Sequence, residues 1–180
     1  MKKKLKTTPK KIQKVRQPQT AENKVKVEVE IGGVENLDDA LEVSRAVFGP
    51  NSEEIEKYHN KEDWKEKIET GGLLVIAKVD GEVAGYIVAF RTSDEVMHMW
   101  GAGVLPRFDD LGIFSNMFEE MAVKCKQDGI KKITLHTIEQ KFPAMYKFVM
   151  ERGFVEYEKE WIDDGPDAQI ERSKFELSLG

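Results

Sequence analysis

The residues of this sequence that could do chemistry fall into two groups. His98 and Glu95 lie in or just before Val96–Val104, a stretch with strand character. An imidazole of ordinary pKa, about 6.5, gives or takes a proton near neutral pH, and a carboxylate is the other common proton acceptor. His136 stands in a second strand-like stretch, Lys132–Thr137. The other group begins after Pro106, where Gly112 opens a helical pattern in which Ile113, Met117, Met121 and Cys125 recur every four residues. The first amides of a helix have no partner within it. With the positive end of the dipole they favour an anion such as a pyrophosphate. Asp110, Leu111, Gly112, Ile113, Phe114 and Ser115 would supply those amides. Gly112 has no Cβ, so a ligand could approach the chain there; the same glycine could instead ease a tight turn. His98 is likewise either an acid–base group or a packed, hydrogen-bonded ring between Met97 and Met99.

Several elements must position these residues. Lys24–Ile31 alternates, with Val25, Val27, Val29 and Ile31 on one side, and predicts a half-buried strand ended by Gly32-Gly33. Asn36 suits the cap of a helix carrying Leu37, Ala40, Leu41, Val47 and Phe48 on its apolar side, stopped by Gly49-Pro50. Ser52 with Glu53 and Glu54 suits another helix start, broken near Asn60, with Trp64 and Ile68 buried beyond the break. Leu73–Val79 and Glu82–Phe90 read as a hairpin turning on Asp80-Gly81. Thr92–Asp94 reads as a loop and Val96–Val104 as a third strand. On a period of two, His98, Trp100, Ala102 and Val104 share one face of it. The helix over 112–127, capped by Gly129, leads to the strand Lys132–Thr137, which predicts a parallel pair with a right-handed crossover. Pro143 opens a last helix reaching Arg152 and closed by Gly153, before strands at Phe154–Trp161 and Ile170–Leu179. The order β-α-α-β-β-β-α-β-α-β-β predicts an α/β (α+β) fold, with a mixed, mostly antiparallel sheet of six to seven strands and helices on both faces.

Charge divides the chain. Residues 1–20 carry +8 with no acidic side chain, and the remaining 160 residues carry −13. Residues 1–23 are expected to be a disordered basic tail, and residues 24–180 one domain. The tail is either an electrostatic arm for nucleic acid or another acidic surface, or a solubilising segment. The acidic body suggests a cationic or amine-bearing partner. No run of about 18 apolar residues is present, so no membrane-spanning helix is expected. The N-terminus lacks a signal h-region. Cys125 is the only cysteine, which excludes an intrachain disulfide and suits a cytoplasmic setting. His59, His98 and His136 lack metal-ligand spacing, so no metal is expected.

Three local features, in this order, resemble the GNAT N-acetyltransferase superfamily over residues 25–179. They are the hairpin Leu73–Phe90 with Val83-Ala84-Gly85-Tyr86 after its turn, Val104-Leu105-Pro106 leading to Gly112-Ile113, and Met145–Phe154 ending in Gly-Phe. The resemblance implies acetyl-CoA as co-substrate, held by the amides of Asp110 to Ser115 with Arg107 nearby. It implies that a backbone N–H near Ala102 or Val104 polarises the thioester carbonyl, and that His98 or Glu95 takes the proton of the amine, with His136 also lining the cleft. Relatives often place a tyrosine four residues before the glycine of Gly-Phe, where it protonates the leaving thiolate. That position is Val149 here, and Tyr146 lies one helical turn earlier, as general acid or as a packed core residue. Phe142 stands where relatives often carry asparagine. The loop departs as well: Asp109 replaces a basic or amide residue and Phe114 a small one. Each carboxylate beside a diphosphate costs about 1 kcal/mol near a surface, less with salt.

The activity implied is transfer of an acetyl group to an amine of a small molecule or of a protein or peptide, by a protein with which a homodimer is compatible. The alternative is a degenerate GNAT-like binding module, tethered to nucleic acid or the ribosome by its tail.

Overall fold

The computed structural model describes residues 24–49 and 60–180. The basic tail and the helix start expected at Ser52 lie outside them. Seven strands form one sheet: β1 (Val27–Gly32), β2 (Leu73–Val79), β3 (Glu82–Ser93), β4 (Val96–Val104), β5 (Lys132–Thr137), β6 (Val155–Asp163) and β7 (Gln169–Ser178). Their spatial order is β1-β2-β3-β4-β5-β7-β6. All neighbours are antiparallel except β4 and β5. The helices are α1 (Leu37–Phe48), α2 (Lys61–Glu69), α3 (Ile113–Gln127) and α4 (Pro143–Glu151), with 3-10 turns at Val34–Asn36 and Pro106–Leu111. This is the mixed, mostly antiparallel sheet that the element order predicts.

Alternation along β2 sends its side chains to two cores. Val75 and Ala77 join Ile87, Met97, Ile113, Met117 and Phe175 under α3 and α4. Leu74 and Ile76 join Leu37, Leu41, Trp64 and Tyr86 under α1 and α2. Because β2 is covered on both sides, Leu73–Ala77 is an unbroken apolar run. Asp80 and Gly81 both take positive φ at the hairpin turn (49° and 86°), as that turn requires. Tyr86, fully buried, hydrogen-bonds Ser44 of α1 at 3.0 Å and ties that helix to the sheet.

The structure departs from the pattern reading in places. Val25, which precedes β1, and Ile31 are 49% and 38% exposed; of this alternating set only Val27 and Val29, on the edge strand, pack against the core. Thr92 and Ser93 belong to β3, not to a loop. Asn36 makes no side-chain cap to α1; its Oδ1 turns back to accept from Gly33 N at 3.1 Å. Asn60 does cap, accepting from Glu62 N at 2.9 Å at the start of α2. Among the described residues no helix is long and apolar enough to cross a membrane.

Candidate active site

The parallel ladder between β4 and β5 is short. It runs from Val96–Lys132 to Met99–Leu135 and stops. From Trp100 onward β4 is paired only with β3, so its other backbone edge faces a gap that opens between β4 and β5. A lone splayed parallel pair leaves peptide groups for a ligand to meet.

A second irregularity lies at the same point. Val88 pairs with Gly101 but Ala89 with Met99, so Trp100 is an extra, bulged residue. A bulge breaks the two-residue period. The shared face expected for His98, Trp100, Ala102 and Val104 is therefore divided. Trp100 packs with the α1/α2 core, whereas Ala102 and Val104 pack with the α3/α4 core. His98 keeps to the α1/α2 side: its ring meets Phe90 (centroids 5.3 Å apart) and His136 (4.8 Å). Its Nδ1 is 2.9 Å from Thr134 Oγ1, directly across the ladder. Burial first, then repulsion from His136 when that ring is protonated and from Arg172, lowers the His98 pKa to about 4. His136 is lowered as well, by burial and by Arg172 and Lys174. Both imidazoles are thus neutral at neutral pH.

The far end of the gap is the loop before α3. Leu105 N donates to Ala84 O at 2.8 Å and holds the end of β4 against β3. After the 3-10 turn, Gly112 takes a left-handed conformation (φ 66°, ψ 24°), and a Cβ there would meet nothing within 4 Å. The α3 ladder begins with Asn116 N donating to Gly112 O at 3.1 Å. The amides of Ile113, Phe114 and Ser115 precede it, and no side chain caps them. Ile113 is buried while Ser115 is half-exposed; Phe114 lies edge-on to Phe148 of α4, with centroids 4.7 Å apart. Asp109, Asp110 and Leu111 are exposed. The open left-handed glycine, the uncapped amides and the gap fit a pyrophosphate carried on an extended arm. The fit rests on backbone groups, because the loop side chains are acidic or apolar.

Three expected residues stand apart from this arrangement. Glu95 is at the opposite end of β4, ion-paired with Lys131, and the structure does not bring it to the gap. Arg107 is paired with Glu82 of the hairpin, and its guanidinium lies over Phe108. It borders a cavity of about 290 Å³ on the α1 side, shared with Asp39 and Glu42. Tyr146 packs on Phe175 of β7 (5.5 Å between centroids), one strand beyond β5. Burial, then Glu156 and Glu139, raises its pKa. Val149, at the position where relatives carry tyrosine, is fully buried. Sequence reasoning missed Thr134, Phe90 and Lys67; their neighbourhood follows from strand register and helix placement, which no local pattern encodes.

The sequence model of the Acetyltransferase (GNAT) family matches residues 37–154, and the chain belongs to that family. No curated protein sequence matches the chain. Among solved structures, it is similar to the ribosomal-protein-S18-alanine N-acetyltransferase from Escherichia coli, with 12% identity and a TM-score of 0.71 over 86% of this chain and 94% of that one. It is also similar to YncA from Salmonella typhimurium, solved with its cofactor acetyl-CoA (12% identity, TM-score 0.66, 86% and 94% covered). A third is the PaiA N-acetyltransferase from Thermoplasma acidophilum in complex with coenzyme A (19% identity, TM-score 0.66, 85% and 99% covered). At these identities the likeness is one of fold.

Proposed function

We propose that this protein transfers an acetyl group from acetyl-CoA to a primary amine in the gap between β4 and β5. The observation that carries the reading is the end of the β4–β5 ladder at Met99–Leu135, with His98 and His136 at its vertex and uncapped α3 amides at its mouth. Acetyl-CoA, when bound, supplies an activated thioester. The amides of Ile113, Phe114 and Ser115 hold its pyrophosphate, and the open side of Gly112 leaves room for it. The unladdered backbone near Ala102 and Val104 offers an N–H to the thioester carbonyl, where negative charge develops. His98 Nε2 takes the proton that the amine sheds, directly or through water; its Nδ1 is occupied with Thr134. A base of pKa about 4 is weak but fully available at neutral pH. Tyr146, a neutral phenol, is the candidate donor to the leaving thiolate, a role that requires it to leave its packing on Phe175. Glu95, tied to Lys131 at the far end of β4, takes no part in this reading. The acceptor is an amine-bearing small molecule or peptide.

Calorimetric titration with acetyl-CoA tests this reading. Saturable binding is expected. Gly112→Asn, which tolerates the left-handed conformation, should retain it, and Gly112→Trp, which fills the open side, should weaken it at least tenfold. Absence of binding by the folded wild-type protein would overturn the transferase reading and leave the binding-module alternative. We further propose that residues 1–20 act as an electrostatic arm toward nucleic acid, on the strength of their +8 charge beside a body of −13.

A further inference from the structure

We propose that the acceptor is an anionic amine with a planar apolar body, of the kind an aromatic amino acid represents, and that Lys67 binds its anionic group. This inference rests on the transferase reading of the gap and adds the substrate class.

A run of rings crosses the sheet on the α1/α2 side and ends at the gap. Trp64 meets Trp100 (6.1 Å between centroids), Trp100 meets Phe90 (6.1 Å), Phe90 meets His98 (5.3 Å) and His98 meets His136 (4.8 Å). Trp64 is buried, but Phe90, His98 and Trp100 are half-exposed and His136 is exposed. The run therefore offers ring surface to a ligand at the vertex where the β4–β5 ladder stops. Planar apolar groups pack well against such surfaces.

At the α2 end, Lys67 Nζ lies 4.5 Å from the Trp100 ring centroid and 5.3 Å from that of Phe90. Aromatic faces hold an ammonium in place without neutralising it. Farther along the same side of the sheet each cation has a carboxylate. Lys132 Nζ is 2.8 Å from Glu176, Arg172 Nε is 2.8 Å from Glu160, and Lys174 is 3.1 Å from both Glu158 and Glu160. Lys67 has no carboxylate within 4.0 Å among the described residues. Among the described residues its ammonium is left for the anionic group of a ligand. An α-amino acid carries amine and carboxylate on one carbon, so a carboxylate on Lys67 sets the amine beside Trp100, where the gap begins, with the ring along Phe90 and His98. The acidic body by itself would favour amines without a negative group, so Lys67 makes the opposite prediction about selectivity.

Two measurements on the full chain test the assignment. The first compares kcat/KM, each referred to the concentration of neutral amine, for phenylalanine and phenylalaninamide, which share a ring and differ in the carboxylate. The amide also stands for a peptide N-terminus. Phenylalanine is expected to be preferred about tenfold or more, the scale of a hydrogen bond to a charged group, and Lys67→Met should bring the ratio to about one. Equal values in the wild type, or a ratio that Lys67→Met leaves in place, would overturn the proposal. The second is a tryptophan-fluorescence titration with 3-phenylpropionate, which has ring and carboxylate but no amine and so needs no transfer chemistry. Saturable quenching that Lys67→Met weakens tenfold supports the site; no saturable change in the wild type rejects it. If no amine is acetylated the transferase reading fails, and the fluorescence titration alone then decides this one.

Discussion

His98 is held as a neutral ring by what packs around it: Phe90 on β3, Thr134 and His136 on β5, and the field of Arg172 on β7. In the unfolded chain the same imidazole takes a proton near its ordinary pKa of about 6.5. Folded, it does so only near 4. Between those values the unfolded state binds more protons, so folding stability is complete above about pH 6.5 and declines as the pH falls toward 4. His136, lowered in the same direction, adds to the slope. Urea unfolding at pH 7 and pH 5 should therefore show a loss of stability on acidification that His98→Gln reduces. An equal loss in the variant would mean that the ring is solvated in the native state. Sequence spacing nominated His98, but it carried no information on Thr134 as its partner or on the depressed pKa. Both depend on register between strands 36 residues apart in sequence.

The elements that aim the site do so through two close approaches. The bulge at Trp100 turns that side chain toward α2 and leaves Ala102 and Val104 facing α3. Alternation could not reveal this, because one inserted residue reverses the facing of every later one. The second approach is at Gly72, between α2 and β2. Its N–H donates to Lys67 O at 2.9 Å, and a Cβ built on it would lie 2.5 Å from both Lys67 O and Ala89 O. These are backbone atoms that cannot step aside. Gly72→Ala is expected to cost about 2–4 kcal/mol by urea denaturation, as severe overpacking does, and to shift α2, so that 3-phenylpropionate binding falls with it. Gly129→Ala is the control. Gly129 has φ 78° with nothing within 4 Å of a Cβ, so only the left-handed strain of about 1–2 kcal/mol applies. Comparable losses in both variants would remove the steric argument.

For the whole molecule, the charge division has a measurable consequence. If residues 1–20, with eight basic and no acidic side chains, act as the proposed arm, the chain should show weak, sequence-independent binding to single-stranded nucleic acid. The slope of log K against log salt should be about −0.7 per phosphate neutralised. Deleting residues 1–20 should abolish it while leaving acetyl-CoA binding intact. Salt-insensitive binding, or binding retained after the deletion, would place the contact on the body instead. The fold tolerates much change in sequence: identities of 12–19% accompany TM-scores of 0.66–0.71. Two-sided burial constrains the central strands β2 and β3 to be apolar without prescribing which apolar residue occupies each position.

Local physics made much of this protein legible in its sequence. Apolar runs, the Asp80-Gly81 turn, Pro106, Pro143 and the glycines at 112, 129 and 153 mark where strands and helices begin and end. Each is a short-range preference of the backbone or a period of burial. Their order implied the mixed sheet, its parallel β4–β5 pair and the uncapped start of α3. Tertiary structure alone decided which side chains meet. It ended the β4–β5 ladder at Met99, reversed the facing of β4 at Trp100, turned Tyr146 onto Phe175 and Arg107 onto Glu82, and laid Lys67 over Trp100. These outcomes come from register, splay and helix docking. They are set by the packing of residues distant in sequence, and no local spacing records them.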